Sequence, residues 1–237
     1  MTVRDARTVL AELAALGPAF TLATGPGDPS AVPLARLLTE PAVLRAQVAH
    51  GRDLLGTTED RVAASWLHGA MTARLVAPVL GAAALDGVVL RLARSDLRWL
   101  APDGTGTGGW WTDGPRAVAC HGVEDVAGEL LGPLAALVDA LGGVAAVSGR
   151  LLWGEVAAAV VKVARVVERV RPDRGGVARE LAGGLLAAEP LAGVQTGPPE
   201  HRRRTCCLAY RRTGGHTCAD CPLGAYRDGA DVRSGRR

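Results

Sequence analysis

Residues 150–170 read Arg-Leu-Leu-Trp-Gly-Glu-Val-Ala-Ala-Ala-Val-Val-Lys-Val-Ala-Arg-Val-Val-Glu-Arg-Val. Lys162, Arg165 and Arg169 recur at spacings of three and four, and Val and Ala fill most of the remaining positions. That period belongs to a helix with one solvated strip and an otherwise buried surface. A helix buried over so much of its circumference needs other helices around it. The flanking sequence supplies them: helical patterns cover 123–141 and 176–188, and nearer the start 3–16 and 41–56. Another helix is expected to begin at Thr58, just before Glu59 and Asp60, with Ala63, Trp66, Leu67, Ala70, Met71 and Leu75 as its stripe and Pro78 as a kink.

The period changes around 86–100. Val88 to Leu92 and Leu97 to Leu100 are short apolar runs on either side of Arg94-Ser95-Asp96, which predicts a β-hairpin. Asp103 to Gly109 is glycine-rich and reads as a loop leading to Trp110-Trp111. The expected fold is mainly α with a small antiparallel β element, an α+β class. Pro190, Gly193, Gly197, Pro198 and Pro199 mark a linker, dividing a helical body at 1–199 from a C-terminal segment at 200–237.

Apolar residues make up 48% of the chain, enough for a core without disulfides. The most apolar stretch, Leu75 to Leu90, is interrupted by Pro78, Gly81, Asp86 and Gly87. Neither a secretory signal nor an integral membrane segment is therefore expected, and the location expected is the cytoplasm. Net charge is +3, but its placement is uneven: residues 200–237 hold nine arginines against Glu200, Asp220, Asp228 and Asp231. A basic tail suits an anionic ligand or an acidic partner.

That tail also holds four of the five cysteines. Cys206-Cys207, ten intervening residues, then Cys218-Ala219-Asp220-Cys221 form a segment too short and polar for a core of its own. In a reducing compartment clustered thiols bind metal rather than each other. Four thiolates suffice for a [2Fe–2S] cluster or a structural zinc. Neighbouring side chains of an extended chain point apart, so Cys206 and Cys207 serve one centre only if the backbone turns there. Two irons tolerate such a ligand pair more readily than one tetrahedral zinc. Gly214 and Gly215 allow the loop to fold tightly, and Pro222 stiffens the chain after the last ligand.

The run from Arg203 through Cys206-Cys207-Leu208-Ala209-Tyr210-Arg211, Gly214-Gly215 and Cys218-Ala219-Asp220-Cys221-Pro222-Leu223 closely resembles the C-terminal signature of FhuF-like ferric-siderophore reductases. Weaker echoes lie at Ser65-Trp66-Leu67-His68-Gly69 with Ala73-Arg74-Leu75, and at Ser148 with Leu151 to Ala157. Family members often carry Asn after the Trp-Gly pair, where this chain has Glu155. The resemblance implies a [2Fe–2S] protein that passes one electron to Fe(III) in a siderophore and takes it from an external donor such as a ferredoxin or flavin reductase. It implies Cys206, Cys207, Cys218 and Cys221 as the ligands of the cluster irons, with no catalytic residue beyond them.

Arg203, Arg204 and Arg211 are candidates for tuning the cluster or docking an anionic partner, and His216, inside the ligand loop, could hydrogen-bond a sulfur. His68 and Trp153 are candidate substrate contacts, although core packing is the ordinary place for such residues. Cys120, in an Ala/Val setting, reads as a small buried hydrophobe. Two rival functions remain: a cluster protein serving another redox partner, and a zinc-stapled binding module. Nucleic acid is not an expected partner, because the arginines lack interleaved aromatics beyond Tyr210 and Tyr226.

Overall fold

The computed structural model describes residues 4–25, 27–103, 108–198 and 201–223. In chain order the main elements are α1 (Ala6–Ala14), β1 (Ala23–Thr24), β2 (Val32–Pro33), α2 (Leu34–Thr39), α3 (Pro41–Leu55), α4 (Asp60–Asp86), β3 (Val88–Arg91), β4 (Arg98–Leu100), β5 (Gly109–Thr112), β6 (Arg116–Ala119), α5 (Val123–Val144), α6 (Gly149–Val170) and α7 (Gly175–Ala187). The α+β expectation is met.

The ends of these helices follow local chemistry. Asp5 accepts a hydrogen bond from the Thr8 N–H at 3.0 Å and so caps α1. Gly56 and Gly87 take the left-handed conformation that ends α3 and α4. The cap of α4 is Glu59, not Thr58, and the helix runs on through Pro78.

α4 is the central element, buried almost continuously from Val62 to Ala84. It packs most extensively on α6, and also meets α1, α3, α5 and α7. Small residues bring the backbones together: a Cβ on Gly81 would lie 3.0 Å from Leu13 Cδ2 and 3.1 Å from Phe20 Cε1. Residues 150–170 form one helix with Lys162, Arg165 and Arg169 exposed, as their spacing predicted. By length and composition alone α4 and α5 could each cross a membrane; 78% of the apolar window of α4 is buried within the protein, against 39% for α5.

The predicted hairpin is wrong in its pairing. β3 pairs antiparallel with β6, matching Val88 to Ala119 and Arg91 to Arg116. β4 belongs to a four-stranded sheet in the order β1-β5-β4-β2. The turn between them exists, closed by the Asp96 N–H on the Ala93 carbonyl at 2.9 Å. However, Val88, Val89 and Leu90 are all buried. An unbroken apolar run carries no alternation to fix a hairpin register. The Leu92 N–H is instead held by the Glu129 carboxylate at 2.6 Å.

Trp110 lies in strand β5, opposite Trp99 with ring centroids 5.1 Å apart. Its indole N–H donates to the Met71 carbonyl at 2.8 Å, which ties the sheet to α4. Residues 104–107 of the glycine-rich loop, and the tail beyond Leu223, lie outside the described residues.

Candidate metal centre

The cysteine segment returns along the linker that precedes it. Gln195 and Arg203 form an antiparallel bridge. It is flanked by Thr196 N–H to Arg202 C=O at 2.8 Å and Arg204 N–H to Val194 C=O at 3.0 Å. Leu208 then takes φ = +62°. This left-handed residue turns the chain directly after the two adjacent cysteines, at a cost of about 1–2 kcal/mol for a residue with a Cβ. Its N–H donates to Cys206 Sγ at 3.4 Å. The chain turns again at Gly214, φ = +65°. A Cβ on Gly215 would lie 2.3 Å from the Ala209 carbonyl oxygen, so the loop closes only around a glycine. The Cys-x-x-Cys turn is fixed by Cys221 N–H to Cys218 C=O at 3.1 Å, and the Arg203 N–H reaches the Asp220 carbonyl at 3.1 Å. The second ligand pair therefore lies beside the first.

The thiols meet two by two. Cys207 Sγ is 3.5 Å from Cys218 Sγ, and Cys206 interacts with Cys221, the one buried cysteine. Sulfurs on one tetrahedral metal, each about 2.3 Å from it, sit about 3.8 Å apart. The observed separation is close to that. Among the described residues no three His, Cys, Asp or Glu side chains converge on one ion position. Two thiol pairs match the ligand set of a two-iron centre, which takes two thiolates on each metal.

The segment docks on α4 and α6. Ser65 Oγ donates to the Cys207 carbonyl at 2.8 Å, and Thr213 Oγ1 to the Gly56 carbonyl at 2.7 Å. A Cβ on Gly154 would meet Thr205 Oγ1 at 2.5 Å, and one on Gly69 would meet Glu155 Oε2 at 3.1 Å. Both glycines make room, one for the tail and one for a buried carboxylate.

Arg203 joins the tail to the body. Its guanidinium lies 2.8 Å from Asp220 and 3.0 Å from Glu155, and its Nη2 donates to Cys218 Sγ at 3.1 Å. The contact with Glu155 is at ion-pair distance without hydrogen-bond alignment. Burial dominates Glu155, pushing its pKa up to about 7 even though Arg203 opposes the shift. Arg203 itself is held above the ordinary arginine value, since the surrounding carboxylates and the Cys207 thiolate outweigh its own burial. Cys207 and Cys218 share a proton: the Cys218 thiol, seconded by Arg203, brings Cys207 down to about 5, and Cys218 is correspondingly raised.

Residues 203–223 match the family model described as the FhuF 2Fe-2S C-terminal domain. The tail is FhuF-like. It is the [2Fe–2S] segment of that family, and the cofactor is a [2Fe–2S] cluster. No curated protein matches the chain. In this FhuF-like tail Cys206, Cys207, Cys218 and Cys221 would hold the cluster, and the group supplies one-electron chemistry when bound.

The other candidates divide. Arg203 is at the ligands. Arg204 is exposed, with its Nε 3.4 Å from the Gln195 carbonyl. Arg211 pairs with Glu59 at 2.8 Å, a clasp on the start of α4. His216 is exposed. His68 is fully buried beside Thr72, and burial lowers its pKa to about 3, so it cannot touch a substrate. Trp153 and Cys120 pack, partly buried, against the core. The sequence reading missed Ser65, Gly69, Gly154 and Asp220 and gave Glu155 no role. All but Asp220 lie in the two upstream echoes of the family pattern, which turn out to be the seat of the tail.

Proposed function

We propose that this chain reduces Fe(III) held by an anionic siderophore, one electron at a time, beside Cys218. The supporting observation is a surface groove of about 200 Å³ lined by Cys218 with Lys162, Arg165, Arg203, Glu155 and Asp220, and by small apolar residues of α4 and α6. Lys162 and Arg165 lie outside the ion pairs of Arg203 with Glu155 and Asp220, and a cluster thiolate beside those two cations suits a negatively charged electron acceptor. Siderophores grip Fe(III) through hard oxygen donors, and those donors hold Fe(II) weakly, so one electron releases the metal. An external one-electron donor, such as a ferredoxin or flavin reductase, restores the reduced protein. In this scheme the reaction takes place in the cytoplasm.

The protein's own residues have separable tasks. Lys162 and Arg165 draw the chelate in. Arg203 donates to Cys218 Sγ and stabilises negative charge on it, which raises the reduction potential. Ser65, Gly69 and Gly154 hold the ligand loop against the body.

The test is anaerobic. Protein reduced with dithionite and freed of excess reductant is mixed with an anionic ferric siderophore and a ferrous chelator. The visible colour of the oxidised cluster is expected to return as Fe(II) is trapped, one Fe(II) per electron. A cluster that stays bleached before hydroxamate and catecholate chelates alike would overturn the proposal.

A further inference from the structure

A second cavity, of about 590 Å³, lies between α6, α7, the linker at 191–198 and His201. Its size is that of a small-molecule pocket. Ala164, Ala182, Leu186 and Leu191 make its walls apolar. Val161, Arg165 and His201 border both this cavity and the basic groove beside Cys218, so the two spaces adjoin. The result is a site with an apolar end and a cationic end.

We infer that the cavity takes the apolar arm of the ferric chelate whose anionic head occupies the groove at Cys218, so that the preferred substrate is an amphiphilic siderophore carrying a fatty arm. The inference rests on the reductase reading for the head group and on the cavity for the arm.

Binding is measured with the oxidised, cluster-loaded protein, which has no electron to give, by equilibrium dialysis of an anionic ferric citrate–hydroxamate chelate with and without a dodecanoyl arm. The arm is expected to tighten binding at least about tenfold, since each buried methylene adds to affinity. Gly183 lines the cavity within α7, and a Cβ there meets nothing within 4 Å. Gly183→Phe therefore fills the space and is expected to abolish the gain from the arm while leaving binding of the armless chelate unchanged. Gly183→Ala should keep the gain, and the visible spectrum and far-UV circular dichroism verify that both variants are intact.

Equal affinity with and without the arm, or a gain that survives Gly183→Phe, overturns the inference. So does dodecanoic acid that binds as tightly as the armed chelate without competing with it. The two readings fail separately. An armed chelate that binds tenfold tighter but is never reduced upholds the cavity and sinks the reductase. Reduction of both chelates at equal affinity does the reverse.

Discussion

Replacing Arg203 with Met removes one buried cation from among Glu155, Asp220 and Cys218 and keeps most of the side-chain volume. Side-chain exposure is 7% for Arg203, 13% for Glu155 and 22% for Asp220. Removing one partner of a buried ion pair costs about 3–5 kcal/mol, because the remaining charge stays buried. Protonation of Glu155 softens that loss, which puts the expected value near 3 kcal/mol. At about 1.4 kcal/mol per tenfold, the equilibrium for lifting the tail off the body should rise more than about a hundredfold.

Hydrogen exchange reads such partial openings directly. The Arg203, Arg204 and Cys221 N–H groups are all hydrogen-bonded in the docked tail, so they report on it. In the cluster-loaded Arg203→Met protein at about pH 8, peptides spanning 203–221 should exchange more than about a hundredfold faster, with α4 and α6 little changed. Arg203→Met combined with Glu155→Met should recover at least half of the loss in free energy, since replacing both charges by apolar groups is often neutral. A rise of less than about fivefold, or a double variant that exchanges as fast as the single one, would refute the view that Arg203 holds the tail through buried charge.

Two further outcomes follow from the same seat. Gly154→Ala should speed exchange of the tail, because its Cβ would fall 2.5 Å from Thr205 Oγ1; overpacking of this kind costs about 1–3 kcal/mol, partly offset by about 1 kcal/mol of helix propensity, and adding Thr205→Ala should restore protection. Glu155, with its pKa raised to about 7 from 4.5 by burial, favours the folded state fully below the unfolded value and loses that contribution as pH rises through about 7. Glu155→Gln should flatten this fall, worth at most about 3 kcal/mol at about 1.36 kcal/mol per unit, in urea unfolding compared at about pH 5 and pH 8; an equal pH dependence in both proteins would count against a buried Glu155.

The long helices were legible because their periods were long. Residues 41–55, 123–144, 149–170 and 175–187 fell close to the expected bounds. Helix α2, six residues long, was missed because it is too short to display a period, and β1 and β2 are two-residue strands set by their partners. The hairpin failed for a related reason: Val88-Val89-Leu90 shows burial but not a partner. At the site, the four cysteines could be read from spacing because few other chemistries use it. Arg203 could not be separated from Arg202 and Arg204, for only tertiary contact makes one of three consecutive arginines buried. Glu155 lies 48 residues before Arg203 in the chain, and no local pattern announces that pairing.

The seat and the ligands are made at different times. Ser65, Gly69, Gly154 and Glu155 are all in place once α6 has been synthesised, while Cys206 follows Val170 by 36 residues. At about 5–20 residues per second, the ribosome adds that stretch in roughly two to seven seconds. Helical packing settles far faster. The thiols thus emerge toward a notch already shaped to receive them.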